Sequence, residues 1–512
     1  MDKISPEIFE HIISLVIRQI SEGDIHEGEC DTLPYALPTL ATVSRKFQWA
    51  VEQRTFRSLR IETSNAELSE FERTLGPRRR SHLRHLSITL LVLPRPSKAS
   101  TGDESESESE SCYETDRDRQ AHMEASTAPL RRVWNFLGAW DESTTNSKGI
   151  NLSLSTTPSP DVPIGNGYGY RPFTFSLLDL IADAESFPTL PFIREFDFHG
   201  HSRYWNPRAA LVLTSTMPKL ERAVWKLSNA QYDWGRYYSI DKKYRDNLAQ
   251  SVQTIRLPSS VKKFSCHLKT PYYYPDHSQV LPRFIEDGAN DPVSCAIREL
   301  TKHCTEVSLE GPFHPSLFDP PCWQHMTRLN VKVLPCSPDG SWLFRPRAPF
   351  TRMDLPRGLI DCTQLPPGYA NTEEEREEAE EYYDDYERIV MPPTVHEYTM
   401  LTLVPDSEKL NAMITEFARC CARMPALEVA DVRFEFENAD NWPFQVICIA
   451  PFQGLVDLEA GMPIALDSYR MYLHVNEWRP TDATITELKN VGLERNGQPS
   501  TICFLPWGDY SD

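Results

Sequence analysis

Ala209-Ala210-Leu211-Val212-Leu213-Thr214-Ser215-Thr216 runs into Met217-Pro218-Lys219-Leu220 and then into Arg222-Ala223-Val224-Trp225-Lys226-Leu227. The first run predicts a helix, and the proline cannot continue it. Leu220 then tucks into a core as a strand begins at Val224, Trp225 and Leu227. The same order recurs along the chain. Ser176 to Ser186 is apolar at helical spacing, ends at Phe187-Pro188-Thr189-Leu190, and precedes the alternating Ile193, Glu195, Phe196, Asp197 and Phe198. Leu257-Pro258-Ser259-Ser260-Val261 precedes Phe264, Cys266 and Leu268, and Leu410 to Arg423 ends at Met424-Pro425-Ala426-Leu427 ahead of Val432, Phe434 and Phe436. Glu306 to Leu309 and Arg328 to Leu334 read as strands without the full signature. A helix-plus-strand unit cannot bury its own apolar face, so the units must stack, with a parallel sheet lining a curved concave surface. Insertions are expected at Ser228 to Arg245 and at Pro335 to Val395.

Upstream of the repeats, Leu68, Phe71 and Leu75 predict a short helix stopped by Gly76-Pro77. The basic run Arg78-Arg79-Arg80-Ser81-His82 follows, read either as a solvated connection on the sheet rim or as a nuclear-localisation or anion-binding patch. A strand-like run spans Leu86 to Leu93. At the amino end Ser5 is suited to cap a helix with Pro6 in its first turn, and Ile8, Phe9, Ile12, Ile13, Val16, Ile17 and Ile20 recur at helical spacing. A second helix opens at Pro38 with the stripe Leu40, Val43, Phe47 and Val51, and a third short one leads into Arg60-Ile61-Glu62.

Three parts of this amino end, Ile4-Ser5-Pro6-Glu7-Ile8, Val43-Ser44-Arg45-Lys46-Phe47 and Thr55-Phe56-Arg57-Ser58-Leu59, resemble the F-box in order. The chain departs from the family in one extra residue before Pro6, in Phe47 where tryptophan is usual, and in a long Ser21–Thr32 connection. The units behind it resemble degenerate leucine-rich repeats such as follow the F-box in many fungal proteins, although no unit carries the full repeat motif. The resemblance implies an α/β fold, with a three-helix F-box-like module followed by an irregular leucine-rich-repeat-like solenoid, or horseshoe. It also implies a receptor subunit of an SCF-type cullin–RING ubiquitin ligase. Pro6, Ile8, Ile12, Val43 and Phe47 would fill the adaptor's apolar groove, and the solenoid would hold a protein substrate. No catalysis of its own, no cofactor, and a cytoplasmic or nuclear location are expected.

The expected divisions are the F-box-like module at 1–60, a first solenoid unit at 61–93 and a disordered acidic Ser/Glu insertion at 94–128. The solenoid occupies 129–335, an insertion with an acidic run 336–395, and a final unit with an α+β cap 396–512. The Ser-Glu alternation from Asp103 to Glu110 cannot bury enough apolar surface to offset its ordering entropy, and it suits phosphorylation. Glu373 to Glu387, acidic around Tyr382, Tyr383 and Tyr386, reads as a solvated block or a dock for a basic partner. Arg131 to Trp140 reads as a helix.

The 512 residues carry a net charge of −20, which argues against non-specific nucleic-acid binding. Twelve cysteines without a CxxC pair fit reduced thiols, and no apolar run approaches membrane-spanning length. His199 and His201 at a strand end have the pattern of a metal-hydrolase pair, but the further ligands such a site needs are missing. His303, Cys304, His314, Cys322, His325 and Cys336 match no zinc-module spacing. The clearer functional signal is aromatic. Tyr204, Trp205, Trp234, Tyr237 and Tyr273 sit in loops between strand units and form the candidate partner surface. The alternative reading is a ubiquitin-independent interaction scaffold whose amino-terminal helices only cap the solenoid.

Overall fold

Leu220 is fully buried, and its N–H donates to the Met217 carbonyl at 3.0 Å, closing the turn that the Met217-Pro218 stop begins. Leu190, Val261 and Leu427 occupy the same buried place after their own prolines. The computed structural model describes residues 41–91, 116–145, 147–157, 177–181, 184–200, 205–227, 238–268, 283–286, 288–320, 323–346, 403–434, 444–453, 467–475 and 477–505.

The described chain is mixed α/β around a twelve-stranded, mostly parallel sheet whose strands follow one another in sequence order, four short strands between the eighth and ninth standing outside it. The amino-terminal part is α1 (Arg45–Thr55), β1 (Ser58–Glu62), α2 (Asn65–Thr74), the one-turn α3 (Pro77–Arg80) and β2 (His85–Leu91). Next come α4 (Asp116–Gly138), β3 (Ile150–Thr157), β4 (Ile193–His199), α5 (Pro207–Ser215), β5 (Arg222–Lys226), α6 (Tyr238–Thr254), β6 (Lys263–His267), α7 (Pro292–Thr301), β7 (Glu306–Gly311) and β8 (Arg328–Val333). Four short strands follow: β9 (Cys336–Ser337), β10 (Ser341–Trp342), β11 (Phe344–Pro346) and β12 (Leu403–Pro405). The last elements are α8 (Ser407–Arg423), β13 (Val429–Phe434), β14 (Phe444–Ile449), β15 (Arg470–His474), α9 (Asp482–Asn496) and β16 (Thr501–Phe504). β1 to β8 and β13 pair in parallel. β14 is antiparallel to both its neighbours, and β16 is parallel to β15.

Alternation along each strand divides the sheet into two faces. Phe196, Phe198, Ala223, Trp225, Phe264, Cys266, Val307 and Leu309 point into one continuous core with the buried stripes of the helices. Three tryptophans in that core solve the problem of a buried N–H in the same way, each donating to a threonine hydroxyl. Trp134 donates to Thr216 at 3.2 Å, Trp225 to Thr214 at 3.1 Å and Trp323 to Thr301 at 2.8 Å.

Several expectations are corrected. The described residues of the helix expected at Ser176–Ser186 are not α-helical: Leu178 forms a parallel bridge with Trp205, and Ala184–Ser186 makes a single 3-10 turn. The reason is the start of α5, where Asn206 donates to the Leu178 carbonyl at 2.7 Å and to Asp179 at 2.8 Å. Those bonds hold 178–179 extended. Residues 116–128, assigned to a disordered insertion, are the first half of α4, and His122, Ser126 and Thr127 within it are buried. Asp116 and Asp118, counted with that acidic run, stand at the helix amino terminus, where the dipole favours acidic residues. The rest of the Ser/Glu insertion lies outside the described residues, as does the acidic run 373–387. The insertion expected at Ser228–Arg245 contains the start of α6. Arg245 itself is buried and bidentate to Asp291, both contacts at 2.7 Å. Part of the insertion expected from Pro335 is structured too: Leu343 and Phe344 are buried, and β11 pairs with β12.

Asp291 also caps α7 through Ser294, so one carboxylate joins two helices. Burial raises its pKa, but Arg245 and the Ser294 hydrogen bonds outweigh that and hold it below the usual aspartate value. A depressed pKa means stability present at neutral pH and lost as pH falls through the folded-state pKa. Asp291→Ala is expected to lower stability by about 3–5 kcal/mol, because it strands a buried guanidinium. Denaturant unfolding at neutral pH and in acid should show the difference between wild type and variant shrinking in acid.

Candidate protein-interaction site

The second face of the sheet is polar. In register across β4 to β8 its first row is Glu195, Arg222, Lys263, Glu306 and Arg328. A second row, Asp197, Val224, Ser265, Ser308 and Asn330, lies two residues further along each strand. The third is His199, Lys226, His267, Glu310 and Lys332. None of these positions belongs to the main core. They are the outward members of strands whose alternate residues are required inside.

Charge alternates across the rows. Arg222 reaches Glu195 at 3.1 Å and Asp197 at 3.8 Å, and Lys263 reaches Glu306 at 3.0 Å. Glu310 accepts from His267 Nδ1 at 2.8 Å and lies 3.6 Å from Lys332 Nζ. Exposure grades from the first row, where Arg328 is 66% exposed, to the third, where Glu310 is 11% exposed. Burial raises the pKa of Asp197 against the pull of Arg222 and Lys226, while Glu195 adds to the rise. Burial likewise raises that of Asp431 on β13, against Arg433 and Gln445.

Ser265 Oγ and His267 Nε2 are 3.2 Å apart, so Ser265, His267 and Glu310 form a hydroxyl–imidazole–carboxylate chain. Such a chain is the skeleton of acyl transfer, which also needs N–H groups aimed at an oxyanion. β6 is bonded on one side to β5 and on the other to β7, so its backbone N–H groups are committed to the ladder. The chain orients His267.

The polar face ends at the carboxyl-terminal strands. Ile447, Ile449 and Tyr472, the outward residues of β14 and β15, form a second buried cluster with Leu505. Arg470 and His474 are buried there as well, Arg470 donating to the Gln453 carbonyl. Just before this cover Phe452 stands 79% exposed in the left-handed region at φ 60°, strained for an aromatic residue.

At the amino end, Ser44 caps α1 by accepting from Phe47 N at 3.3 Å. Glu52 is buried and accepts from Arg79 at 3.0 Å, and the Arg79 guanidinium lies 4.6 Å from the centre of the Phe56 ring. Arg80 stacks over Trp140 at 4.9 Å and donates to the Leu75 carbonyl. Two guanidiniums of the basic run are half-buried, Arg79 fastening α3 to α1 and Arg80 lying against Phe136 of α4 and Trp140, while Arg78 and Ser81 are exposed. Val43 is 52% exposed, Trp49 37%, and Phe47 is half-buried against Ala50 and Val51.

Of the adaptor-binding residues expected from the sequence, Val43 and Phe47 are described, while Pro6, Ile8 and Ile12 lie outside the described residues. Of the candidate partner surface, Tyr204, Trp234, Tyr237 and Tyr273 also lie outside them. Trp205 is a correction: it is fully buried, edge-on to Phe198 at 5.6 Å, and offers nothing to a partner. His199 stands on the polar face, and His201 is outside the described residues. Cys304 is buried, its thiol pushed up to about 12 by desolvation, and His314 caps a 3-10 turn through Ser316. Among the described residues no group of three or more His, Cys, Asp or Glu side chains is placed to hold a metal, and no helix is long and apolar enough to cross a membrane.

Sequence reading assigned no role to the charged rows, although the polar members of Ile193–Phe198 were visible. The sequence matches no protein-family model and no curated protein.

Exposed ion pairs contribute about 0–1 kcal/mol each. Glu306→Lys is accordingly expected to fold normally, with a thermal midpoint within a few degrees of wild type. Trp205→Ala, which empties a core position, should cost about 3–5 kcal/mol. Equal midpoints for the two variants would contradict the assignment of the faces.

Proposed function

We propose that the protein is a substrate-receptor subunit of an SCF-type cullin–RING ubiquitin ligase. Its amino-terminal helices dock the adaptor, and the polar sheet face holds a protein substrate. The observation that carries this reading is Val43, a large apolar residue half out of the protein on the segment leading into α1. The far side of that helix is pinned to α3 by Glu52 and Arg79. Pro6, Ile8, Ile12 and Phe47 complete the proposed adaptor contact. The sequential, repeatedly parallel strand order supports a leucine-rich-repeat-like solenoid behind the helices, since neighbouring units need contact only one another. In this reading the protein supplies no catalytic group. It brings a target lysine near a charged conjugating enzyme.

A second reading is favoured by Glu52. A buried acid, ion-paired to α3, is what a cap sealing the end of the sheet would carry. Removing residues 1–60 would not separate the readings cleanly, because it also removes most of β1 and the partner of Arg79.

A point substitution does separate them. Val43→Glu keeps the Glu52–Arg79 junction intact and should leave the thermal midpoint unchanged. It should reduce capture of a purified SCF adaptor at least about tenfold, the scale expected for a charge placed in an apolar groove. Capture at the wild-type level would defeat the receptor reading in favour of the cap.

A further inference from the structure

Among the described residues the twelve-stranded sheet ends at β1 on one side and at β16 on the other, and an edge strand presents backbone groups for which the sheet has no partner. The β1 edge is guarded. Arg60 and Glu62 are exposed on it, and the Glu62 N–H donates to the Glu67 carboxylate at 2.6 Å instead of standing open. The β16 edge carries no such guard. Thr501-Ile502-Cys503-Phe504 holds no charged residue and no proline. Thr501 N donates to the Tyr469 carbonyl at 2.8 Å and Leu505 N to the Leu473 carbonyl at 2.9 Å, both on the β15 side. The alternate residues, Ile502 and Phe504, therefore turn their N–H and C=O groups to the open edge. Apolar surface accompanies them. Phe504 is 39% exposed, with the Arg479 guanidinium 4.5 Å from its ring centre, and Leu493 is 51% exposed on α9, the helix packed against β16.

We infer that a second copy of this chain occupies the β16 edge, the two β16 strands pairing antiparallel about a two-fold axis at Cys503. The register follows from which groups are open. Ile502 of one copy and Phe504 of the other exchange two N–H···O=C bonds, and the axis repeats the exchange. The open N–H and C=O groups of both residues are then all used, in both copies. Cys503, whose own groups face β15, stands opposite Cys503 of the other copy as a pair without hydrogen bonds between them. Directly opposite residues share a face of a sheet, so Ile502 meets Phe504 on the helix face, apolar against apolar. Another polypeptide strand could make the same backbone bonds, but β16 has no charged side chain with which to select one or fix its register. A two-fold pairing needs no such selection, because each edge supplies what the other lacks. The inference goes beyond the receptor reading: β16 lies at the opposite end of the sheet from α1, and self-pairing and adaptor capture can fail separately.

The test uses the full chain in reducing buffer, sedimented over a range of protein concentrations. Wild type is expected to show a reversible monomer–dimer equilibrium. Phe504→Pro removes one open donor from each copy while leaving the β15 ladder intact, and should weaken the dimer about tenfold, the loss of two hydrogen bonds. Arg60→Ser, on the β1 edge, should leave it unchanged. A thiol trap makes the test independent of how well the proline variant folds. Opposed residues of a pair without hydrogen bonds have Cα atoms about 4.5 Å apart, within the range a disulfide spans. Mild oxidation with an added disulfide reagent, followed by peptide mapping, should therefore join Cys503 to Cys503 of the second copy. Cys503→Ser should abolish that link and keep the dimer in sedimentation. A chain that stays monomeric at every concentration would leave the edge to some other polypeptide and overturn the inference. A dimer that Phe504→Pro and Arg60→Ser weaken equally, or links that map to other cysteines and spare Cys503, would overturn it as well.

Discussion

A parallel sheet has no hairpin to set its register, so something else must decide where each strand begins. Here a single carbonyl does it. The residue at the head of one unit accepts two successive N–H groups of the next. Arg57 receives Arg84 and His85 at 2.8 and 3.0 Å, and Glu221 receives Lys262 and Lys263 at 2.9 and 3.0 Å. Lys262 receives Thr305 and Glu306, Thr305 receives Thr327 and Arg328, and Thr327 receives Glu428 and Val429, all between 2.8 and 3.1 Å. The Thr305 and Thr327 hydroxyls add a further bond to the same acceptors. Once each strand starts level with the one before, every outward residue falls into a row. The charged face is thus a consequence of a backbone device.

The two faces then carry different loads. The helix face must be dry and close-packed, and a polar group buried there is costly without a partner. The Trp–Thr bonds and the Arg245–Asp291 pair are such cases. The other face is bound by no packing requirement over β4 to β8, and there lysine, arginine, glutamate and histidine replace valine and leucine. Where the chain does need cover, at β14 and β15, the outward residues become isoleucine and tyrosine. The composition of one sheet face therefore marks which stretch is left uncovered by the described chain.

Much of this was readable from residue order. Met217-Pro218-Lys219-Leu220 and its counterparts state the helix, the stop and the strand locally, and those units stand where the pattern puts them. The failures share a cause: a distant partner overrides a local signal. Ser176–Ser186 has helical spacing, yet Asn206 claims its backbone. Asp116 and Asp118 add to a charge run, yet the helix they begin is anchored by Val133, Trp134 and Leu137 far along it. Trp205 in a polar loop reads as a surface anchor, and its burial depends on Phe198 and Leu178. The rows of the candidate site were hidden for the complementary reason. The polar position of each strand is visible alone, but the neighbour that aligns with it is set by the shared carbonyls.

The junction at α1 bears on how such a protein can act. A receptor that works by proximity transmits no chemistry between its ends; it must hold them at a fixed separation. Flexible attachment would spread the held target over many positions and dilute its effective concentration at the reacting group. Glu52 buried against Arg79, with Arg79 over Phe56 and Arg80 over Trp140, ties α1 to β1, to α3 and to α4 at once. Further along, the shared carbonyls level each strand from β5 to β8 with the one after it in the sheet. The buried acid that a simple cap would need is therefore also what a rigid receptor would need. Its presence leaves the outer surface of α1, with Val43 and Trp49, as the feature on which the two readings divide.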